Sequence, residues 1–256
     1  MRDYKFIAQN FSESSENKIH SDEMAKKFGF KGALVPGVAV YGHLSWPLVD
    51  QHGPSWLEQS VDSLRLISPA YHGDNLTLNL READTLQTVD CHNPDGELLA
   101  QVTSASQVPE PEYLELLNGN SYKPSGRVEI SWDTVNEGEI YAPWNVTITP
   151  EMNHKYTSEV ADEQEIFAEF AHPHLLLSLA NNALMSEYIM PTWLHVGSET
   201  RRRAALKVGD TINVRAVTLD KWQKKGHEFI RTWVTYWRGE EMTTDILHTA
   251  IFKVAV

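Results

Sequence analysis

The segment Tyr71-His72-Gly73-Asp74-Asn75-Leu76-Thr77-Leu78 returns 136 residues further along the chain as Lys207-Val208-Gly209-Asp210-Thr211-Ile212-Asn213-Val214. Each copy is typical of a tight turn around Gly-Asp that leads into a strand. At the same offset, residues 17–21 align with 153–157 and residues 63–65 with 199–201, and Pro36 aligns with Pro173 at 137. Because these weak matches occur in one order, they indicate an internal duplication, and we predict two similar modules in tandem.

Helices are predicted to open each module. The first is short, with a serine cap, an acidic first turn, a basic last turn and a glycine stop, at Ser21, Asp22, Glu23, Lys26, Lys27 and Gly29. A longer apolar helix should begin near Pro36-Gly37, and Pro47 should kink or end it. Its counterpart begins at Pro173 and is apolar on all sides, which predicts deep burial.

Strands are predicted to follow the helices. Seven segments alternate with period two, at 63–66, 75–82, 98–106, 197–205, 211–219, 229–236 and 243–253, with Gly96 and Gly239 at hairpin turns. Residues 108–139 are rich in Pro, Gly, Asn and Glu and indicate a connector with one helical turn at 113–117. The sequence thus predicts an α+β fold of two antiparallel sheets, each wrapped around a central helix, with modules at residues 1–107 and 140–256.

Composition excludes several classes of protein. The 256 residues are 41% hydrophobic and carry a formal charge of -13, which disfavours a nucleic-acid or anionic-membrane partner because both require a basic surface. The start, Met1-Arg2-Asp3-Tyr4-Lys5-Phe6, has no apolar leader, and no apolar run approaches the roughly 18 residues of a membrane span. We expect a cytoplasmic protein. The single cysteine, Cys91, excludes an internal disulfide, and residues 91–96 suggest a hairpin turn.

Two groups of motifs refine the fold class. The first module contains Ser15-Glu16-Asn17-Lys18-Ile19-His20 and then Lys31-Gly32-Ala33-Leu34-Val35-Pro36-Gly37-Val38. The second contains Ala171-His172-Pro173, Trp193-Leu194-His195-Val196-Gly197-Ser198-Glu199 and Lys225-Gly226-His227-Glu228-Phe229. Across nearly the whole chain, this resembles the MaoC-like acyl-thioester dehydratases and hydratases, in which Asp-x-Asn-Pro-apolar-His precedes the turn into the central helix. The resemblance implies a double hot-dog fold.

The resemblance also implies a reaction. Members of the family add water to a trans-2-enoyl thioester or eliminate it from a 3-hydroxyacyl thioester, as lyases of fatty acid metabolism. No metal or separate cofactor is implied, since coenzyme A or phosphopantetheine is part of the substrate. His20 would be the general acid or base and Asn17 would orient the water or the imidazole. Pro36, Gly37 and Val38 would bind the substrate, and the free N–H groups of Gly37 and Val38 at the helix start would donate to the thioester carbonyl. The expected partner is an acyl-CoA or acyl-carrier-protein thioester, and the expected assembly a homodimer.

Ser15 departs from the family pattern, because the family has its catalytic Asp at that position. Ser15 is itself a catalytic candidate, and Glu16, Glu151 and Asp162 are the carboxylates that could substitute for the Asp. Two alternatives therefore stay open: an acyl-CoA-binding module with reduced activity, and a thioesterase on the same fold. Tyr156 occupies the His20 position of the second module, which favours a single active site.

Arg201-Arg202-Arg203 is a basic run in an acidic protein. On a strand, Arg201 and Arg203 share one face and are candidates to bind the phosphates of the carrier group. The alternative is a solvated sheet edge whose charges discourage aggregation. His172 and His174 lack a third ligand at metal-binding spacing, so no metal is predicted.

Overall fold

The computed structural model describes residues 3–118 and 126–255, in which helices and strands occur in runs. The strands are β1 (Asp3–Ile7), β2 (Ser60–Leu66), β3 (Asn75–Ala83), β4 (Leu86–His92), β5 (Leu98–Ala105), β6 (Val128–Glu129), β7 (Trp144–Thr147), β8 (Tyr188–Ile189), β9 (Leu194–Arg202), β10 (Thr211–Lys224), β11 (His227–Arg238) and β12 (Glu241–Lys253). The α-helices are α1 (Asp22–Lys27), α2 (Gly37–His52), α3 (Pro54–Glu58), α4 (Pro150–Glu159) and α5 (Pro173–Glu187), and 3-10 helices lie at Lys18–His20, Leu114–Asn118 and Glu165–Ala168.

Ten of the strands form one continuous antiparallel sheet. Its order is β1-β3-β4-β5-β2-β9-β12-β11-β10-β7, so each half repeats the other when it is traced outward from the middle. The two five-stranded halves meet where β2 pairs with β9 along residues 60–65 and 197–202. This is the predicted pair of antiparallel sheets, joined edge to edge, and the α+β double hot-dog fold is confirmed.

The duplicated turn has the same geometry in both halves. The carboxylate of Asp74 accepts a hydrogen bond from the Tyr71 amide at 2.9 Å, and that of Asp210 accepts one from the Lys207 amide at 2.9 Å. The glycines between them, at positions 73 and 209, have φ of 87° and 100°, a backbone region that glycine adopts without the steric penalty of a side chain. Identical local chemistry thus begins β3 and β10 at equivalent points.

The two long helices lie in the core of the molecule. Every residue from Val38 to Ser45 in α2 and from Pro173 to Ala180 in α5 is buried. The helices pack against each other, and a Cβ added at Gly42 would lie 2.9 Å from the Cβ of His174. Helix α2 continues past Pro47 to His52, so this proline does not end the helix.

Three strands of the ten-stranded sheet were not predicted. β1 and β7 precede the helices and form the two outer edges of the sheet, so the prediction that helices come first in each module is wrong. Both are short, and an edge strand needs few apolar residues because little of it is covered. β4 was missed because its first residues, 86–88, are not buried, which weakens the alternating pattern. The predicted hairpin turn at residues 91–96 included the end of this strand, but in the structure the turn begins only after His92.

The connector contains a 3-10 helix at Leu114–Asn118, close to the predicted turn at 113–117. Residues 119–125 of the connector lie outside the described residues. Further on, β6 pairs in parallel with β8 in a separate two-stranded sheet. The module boundaries at 107 and 140 stay a prediction.

Candidate functional site

A cavity of about 230 Å³ lies between the chain leading into α2 and the start of β9. Its wall is mainly apolar and takes residues from both halves: Asn17, Ile19, His20, Phe30, Leu34, Val35, Pro36, Gly37, Val40, Leu66, Ile67, Ser68, Pro69, Ala70, Leu99, Asn181, Trp193, Leu194, His195, Val196 and Ile251. Such a concave apolar site with a few polar groups is typical of small-molecule binding. The structure therefore brings four of the predicted site residues, Asn17, His20, Pro36 and Gly37, to one cavity.

His20 is held by a backbone carbonyl. Its Nδ1 lies 2.8 Å from the carbonyl oxygen of Leu34, and because a carbonyl only accepts, Nδ1 carries the hydrogen. In the neutral ring Nε2 is then unprotonated, and it lies 3.4 Å from Nδ2 of Asn17. Burial lowers the pKa of His20, and the bond to Leu34 opposes this only in part. The imidazole is thus a neutral base near pH 7.

Asn17 is fixed from the opposite half of the chain. Its Oδ1 accepts from the amide of Trp193 at 3.2 Å, and its Nδ2 donates to the carbonyl of Trp193 at 2.9 Å. Oδ1 also accepts from the amide of Ile19 at 3.4 Å. This two-point clamp settles the orientation of the carboxamide, because exchanging oxygen and nitrogen would break both bonds to Trp193. The remaining hydrogen of Nδ2 faces Nε2 of His20.

The start of α2 supplies hydrogen-bond donors. Pro36 and Gly37 line the cavity, whereas Val38 is buried behind its wall. Within residues 3–118 and 126–255, the backbone N–H groups of Gly37 and Val38 have no acceptor, and the first bonds to Pro36 come from Ala39 and Val40. Free N–H groups at a helix N-terminus favour a developing negative charge. Gly37 therefore gives the cavity wall a backbone amide that has no acceptor among the described residues.

His195 also lines the cavity, although it was quoted only as part of a motif and was not predicted as a site residue. Its Nε2 lies 2.8 Å from Oγ of Ser198, which lies 2.9 Å from Nδ1 of His248. Burial lowers the pKa of His195 to about 3, against an opposing contribution from the Gly197 backbone. Strict alternation along β9 would place residues 195 and 198 on opposite faces. The register shift in the pairing of β9 with β12 brings the two side chains together, and the sequence pattern did not indicate it.

Ser15 does not line the cavity. Its hydroxyl donates to the carbonyl of Asn17 at 3.1 Å. Of the three substitute carboxylates, Glu16 forms an ion pair with Arg127, Glu151 is exposed in the first turn of α4, and Asp162 is buried against Nε2 of His172 at 3.1 Å. Among the described residues that form the cavity wall, there is no carboxylate. The structure therefore does not bring a second acid to His20 from any of these positions.

Arg201 and Arg203 are also away from the cavity. Arg201 donates to Glu199 at 2.7 Å, and both arginines form ion pairs with the fully buried Asp245. Arg203 further donates to the carbonyl of Pro109 at 2.6 Å. The structure thus places these guanidinium groups in internal ion pairs, and their role in binding phosphate stays a prediction. The alternative of a solvated edge is wrong, because β9 has β2 on one side and β12 on the other.

In the second half, Tyr156 packs its ring against His174, with ring centroids 4.9 Å apart.

The described residues include no group of three or more His, Cys, Asp or Glu side chains arranged to hold a metal ion. They also include no helix with the length and apolar character needed to cross a membrane.

Comparison with known proteins places this architecture. At the level of sequence, the chain matches no protein-family profile and no curated protein. It is similar in structure to a protein from Chloroflexus aurantiacus described as a MaoC domain dehydratase, with 14% identity, a TM-score of 0.62, and 97% of this chain and 93% of that chain covered. A MaoC-like dehydratase gives 12% identity and a TM-score of 0.60 over 97% of each chain.

A protein from Mycobacterium tuberculosis described as having a double hotdog fold gives 12% identity and a TM-score of 0.57, over 98% of this chain and 95% of that chain. The chain is a double hot-dog protein. More particularly, its fold is the one found in MaoC-like dehydratases, so the resemblance predicted from the sequence is confirmed at the level of the fold.

Proposed function

We propose that the protein is a hydratase or dehydratase of acyl thioesters, adding water across the C2–C3 double bond of an enoyl thioester or catalysing the reverse elimination. One observation carries the proposal. The unprotonated Nε2 of His20 and the free amide of Gly37 belong to the same apolar cavity. A base and an oxyanion donor at one apolar site are the two groups that this chemistry requires.

The hydration step balances with His20 alone. Nε2 takes a proton from water as the oxygen forms a bond to C3, and electrons move through C2 to the thioester carbonyl oxygen. The amide of Gly37 stabilises the resulting enolate. The imidazolium then returns its proton to C2, so the base is regenerated and one water has been added. Elimination runs through the same steps in reverse.

The lowered pKa of His20 suits this role. Because burial disfavours the charged ring, the resting state near pH 7 is the neutral base, and the imidazolium formed in the reaction readily gives up its proton. Asn17 contributes by keeping the ring's position and tautomer constant through the 3.4 Å contact to Nε2.

A second candidate is an acyl-thioester-binding protein with little or no turnover. It is favoured by the wall of the cavity, where Ser15 is absent and the described residues include no carboxylate. General acid-base groups each contribute about 10²- to 10⁴-fold to rate, so the loss of one would slow the reaction severely.

The test is loss of the conjugated-thioester absorbance of crotonyl-CoA and of longer enoyl-CoAs. We expect turnover by the wild type, with kcat reduced about 10²- to 10⁴-fold in His20→Ala. The matched control is His154→Ala, at an exposed histidine of α4, which should leave the rate unchanged. Tight binding of acyl-CoA without turnover at any chain length would establish the binding protein instead, and release of free thiol would indicate a thioesterase.

A further inference from the structure

Three side chains of the second half form a hydrogen-bonded chain that ends at the cavity. Ser198 Oγ lies between the two histidines, 2.8 Å from Nε2 of His195 and 2.9 Å from Nδ1 of His248. The two imidazoles are stacked, with centroids 4.4 Å apart and planes inclined by 28°. Nδ1 of His195 and Nε2 of His248 are buried and have no hydrogen-bond partner within the described residues. Nδ1 of His195 is thus a polar atom without a partner on a residue that lines the cavity.

We propose that Nδ1–H of His195 is a second hydrogen-bond donor to the thioester carbonyl oxygen, beside the amide of Gly37, and that Ser198 and His248 fix the tautomer that makes it a donor. The inference rests on the proposed function, since it concerns the same carbonyl group.

Position is the first argument. A Cβ built on Gly37 would lie 2.9 Å from Nδ1 of His195 and 2.3 Å from Cδ1 of Leu66. Only glycine therefore lets the imidazole approach the first turn of α2 this closely. Nδ1 of His195 thus lies next to residue 37, whose backbone amide has no acceptor among the described residues. In the proposed arrangement, one carbonyl oxygen accepts from both groups.

The tautomer is the second argument. Ser198 has one hydroxyl hydrogen, so it donates to one histidine and accepts from the other. Either direction leaves one buried N–H without an acceptor, on Nε2 of His248 or on Nδ1 of His195. His195 lines the cavity and His248 does not, so only the hydrogen on His195 can be satisfied by an acceptor bound in the cavity. The favoured direction runs from Nδ1–H of His248 through the serine hydroxyl to Nε2 of His195. It leaves the hydrogen of His195 on Nδ1.

The charge state agrees with this arrangement. Burial lowers the pKa of His195 to about 3 and that of His248 well below its ordinary value, so both rings are neutral in the working range. A neutral imidazole can polarise a carbonyl without carrying charge, as in the histidine electrophile of triosephosphate isomerase. No proton changes hands. His195 would supply a hydrogen bond that strengthens as charge develops on the oxygen.

The first test compares His195→Phe, which keeps the ring and loses the donor, with His195→Asn, whose amide nitrogen stands where Nδ1 was. We expect kcat for enoyl-CoA to fall about 10²- to 10³-fold in His195→Phe, with KM changed less than threefold, and to be largely kept in His195→Asn. Ser198→Ala should lower kcat by a smaller factor because it frees the tautomer. His92→Phe, at the end of β4 outside the cavity, is the matched control.

The second test does not need turnover. The carbonyl stretch of bound butyryl-CoA, which has no double bond to hydrate, is measured by infrared difference spectroscopy, and the tautomer of His195 by ¹⁵N NMR. We expect a carbonyl frequency lowered in the wild type and partly restored in His195→Phe, together with a hydrogen on Nδ1. An equal frequency in both proteins, or a hydrogen on Nε2, would overturn the inference.

The two proposals fail in different ways. A carbonyl shift that depends on His195 without turnover of any enoyl-CoA would contradict the hydratase alone. Turnover that is normal in His195→Phe would contradict the role of His195 alone. Failure of butyryl-CoA to bind would overturn both. Thermal unfolding of each variant shows whether a loss of activity reflects misfolding. If His195→Phe is misfolded, the activity of His195→Asn and the tautomer of His195 measured by NMR decide whether the proposal holds.

Discussion

The carboxamide of Asn17 binds both backbone polar groups of Trp193, a residue 176 positions away in the other half of the chain, at 3.2 and 2.9 Å. Asn17 is 5% exposed and Trp193 3% exposed, so neither group can exchange its partner for bulk water. The contact has two effects. It attaches the His20 segment to β9, and it aims the second hydrogen of Nδ2 at the imidazole.

Asn17→Ala should weaken both stability and activity. It leaves the amide and the carbonyl of Trp193 buried without partners, and each unsatisfied group costs about 1–3 kcal/mol. We expect the free energy of unfolding, measured with urea, to fall by about 2–4 kcal/mol. The control is Asn75→Ala, at an exposed position where β3 begins, with a change below about 0.5 kcal/mol. Equal changes in the two variants would contradict the clamp.

Ser15→Ala should retain activity. The hydroxyl donates to the Asn17 carbonyl and does not line the cavity, so its removal costs one local hydrogen bond of about 1 kcal/mol. We expect kcat for the preferred enoyl-CoA within about threefold of the wild type, because a group away from the reacting atoms contributes little to the barrier. A loss of a hundredfold or more, in a variant of normal stability, would return Ser15 to the catalytic residues.

Stability should decrease in mild acid because of buried histidines in the central helices. Burial lowers the pKa of His43 and of His174 to about 3, with His172 contributing to both shifts. In the unfolded chain a histidine titrates near pH 6.5, so between pH 6.5 and 3 the unfolded state binds more protons than the folded state. The free energy of unfolding therefore decreases as the pH is lowered through this range. Each histidine should cost about 2 kcal/mol between pH 7 and 5.

The measurement is urea unfolding at pH 7 and pH 5. His43→Phe keeps an aromatic ring against Phe6, which stacks on His43 at 3.6 Å, and should reduce the loss by about 2 kcal/mol. His154→Gln, on the exposed side of α4, should leave the loss as it is. If His43→Phe shows the full wild-type pH dependence, then the ring at position 43 is not responsible for it.

A buried ion pair holds the two half-sheets together. Asp62 on β2 and Arg202 on β9 are both essentially inaccessible and form an ion pair, and the hydroxyl of Tyr41 donates to Asp62 at 2.9 Å. Asp62→Ala leaves a buried guanidinium without its partner, and we expect a loss of about 3–5 kcal/mol in the free energy of unfolding. Asp220→Ala breaks the exposed pair with Arg231 and should cost less than about 1 kcal/mol. Comparable losses would mean that the buried pair has no special weight.

The parts of the fold that could be predicted are those that depend on neighbours in sequence. The Gly-Asp turns at 73–74 and 209–210 are each closed by an aspartate side chain that accepts from a backbone N–H three residues earlier, so the pattern is visible without a structure. Helix α2 begins at Gly37, as Pro36-Gly37 predicted. The edge strands β1 and β7 were not predicted, because each is a strand on account of the neighbouring strand with which it pairs.

The candidate site likewise contains residues that could be predicted from the sequence and residues that only the structure revealed. Asn17, His20 and Gly37 became candidates because the short segments that contain them resemble motifs of the MaoC-like family, and such motifs are local in sequence. His195 and Trp193 reach the same cavity only because β2 and β9 pair and join the half-sheets. Equally, Arg201 on β9 and Arg203 just beyond its end both form ion pairs with Asp245 on the neighbouring strand, a contact that the basic run did not reveal.

The sequence by itself determined that the chain is a duplication with a helix and curved sheet in each half, because turns, caps and alternating burial are short-range and leave a periodic record. The tertiary structure alone decided that the cavity is shared between the halves, that Ser15 lies outside it, and that an imidazole from β9 stands beside Gly37. Contacts between residues more than 150 positions apart depend on how whole strands pair and pack, and no local pattern encodes that choice.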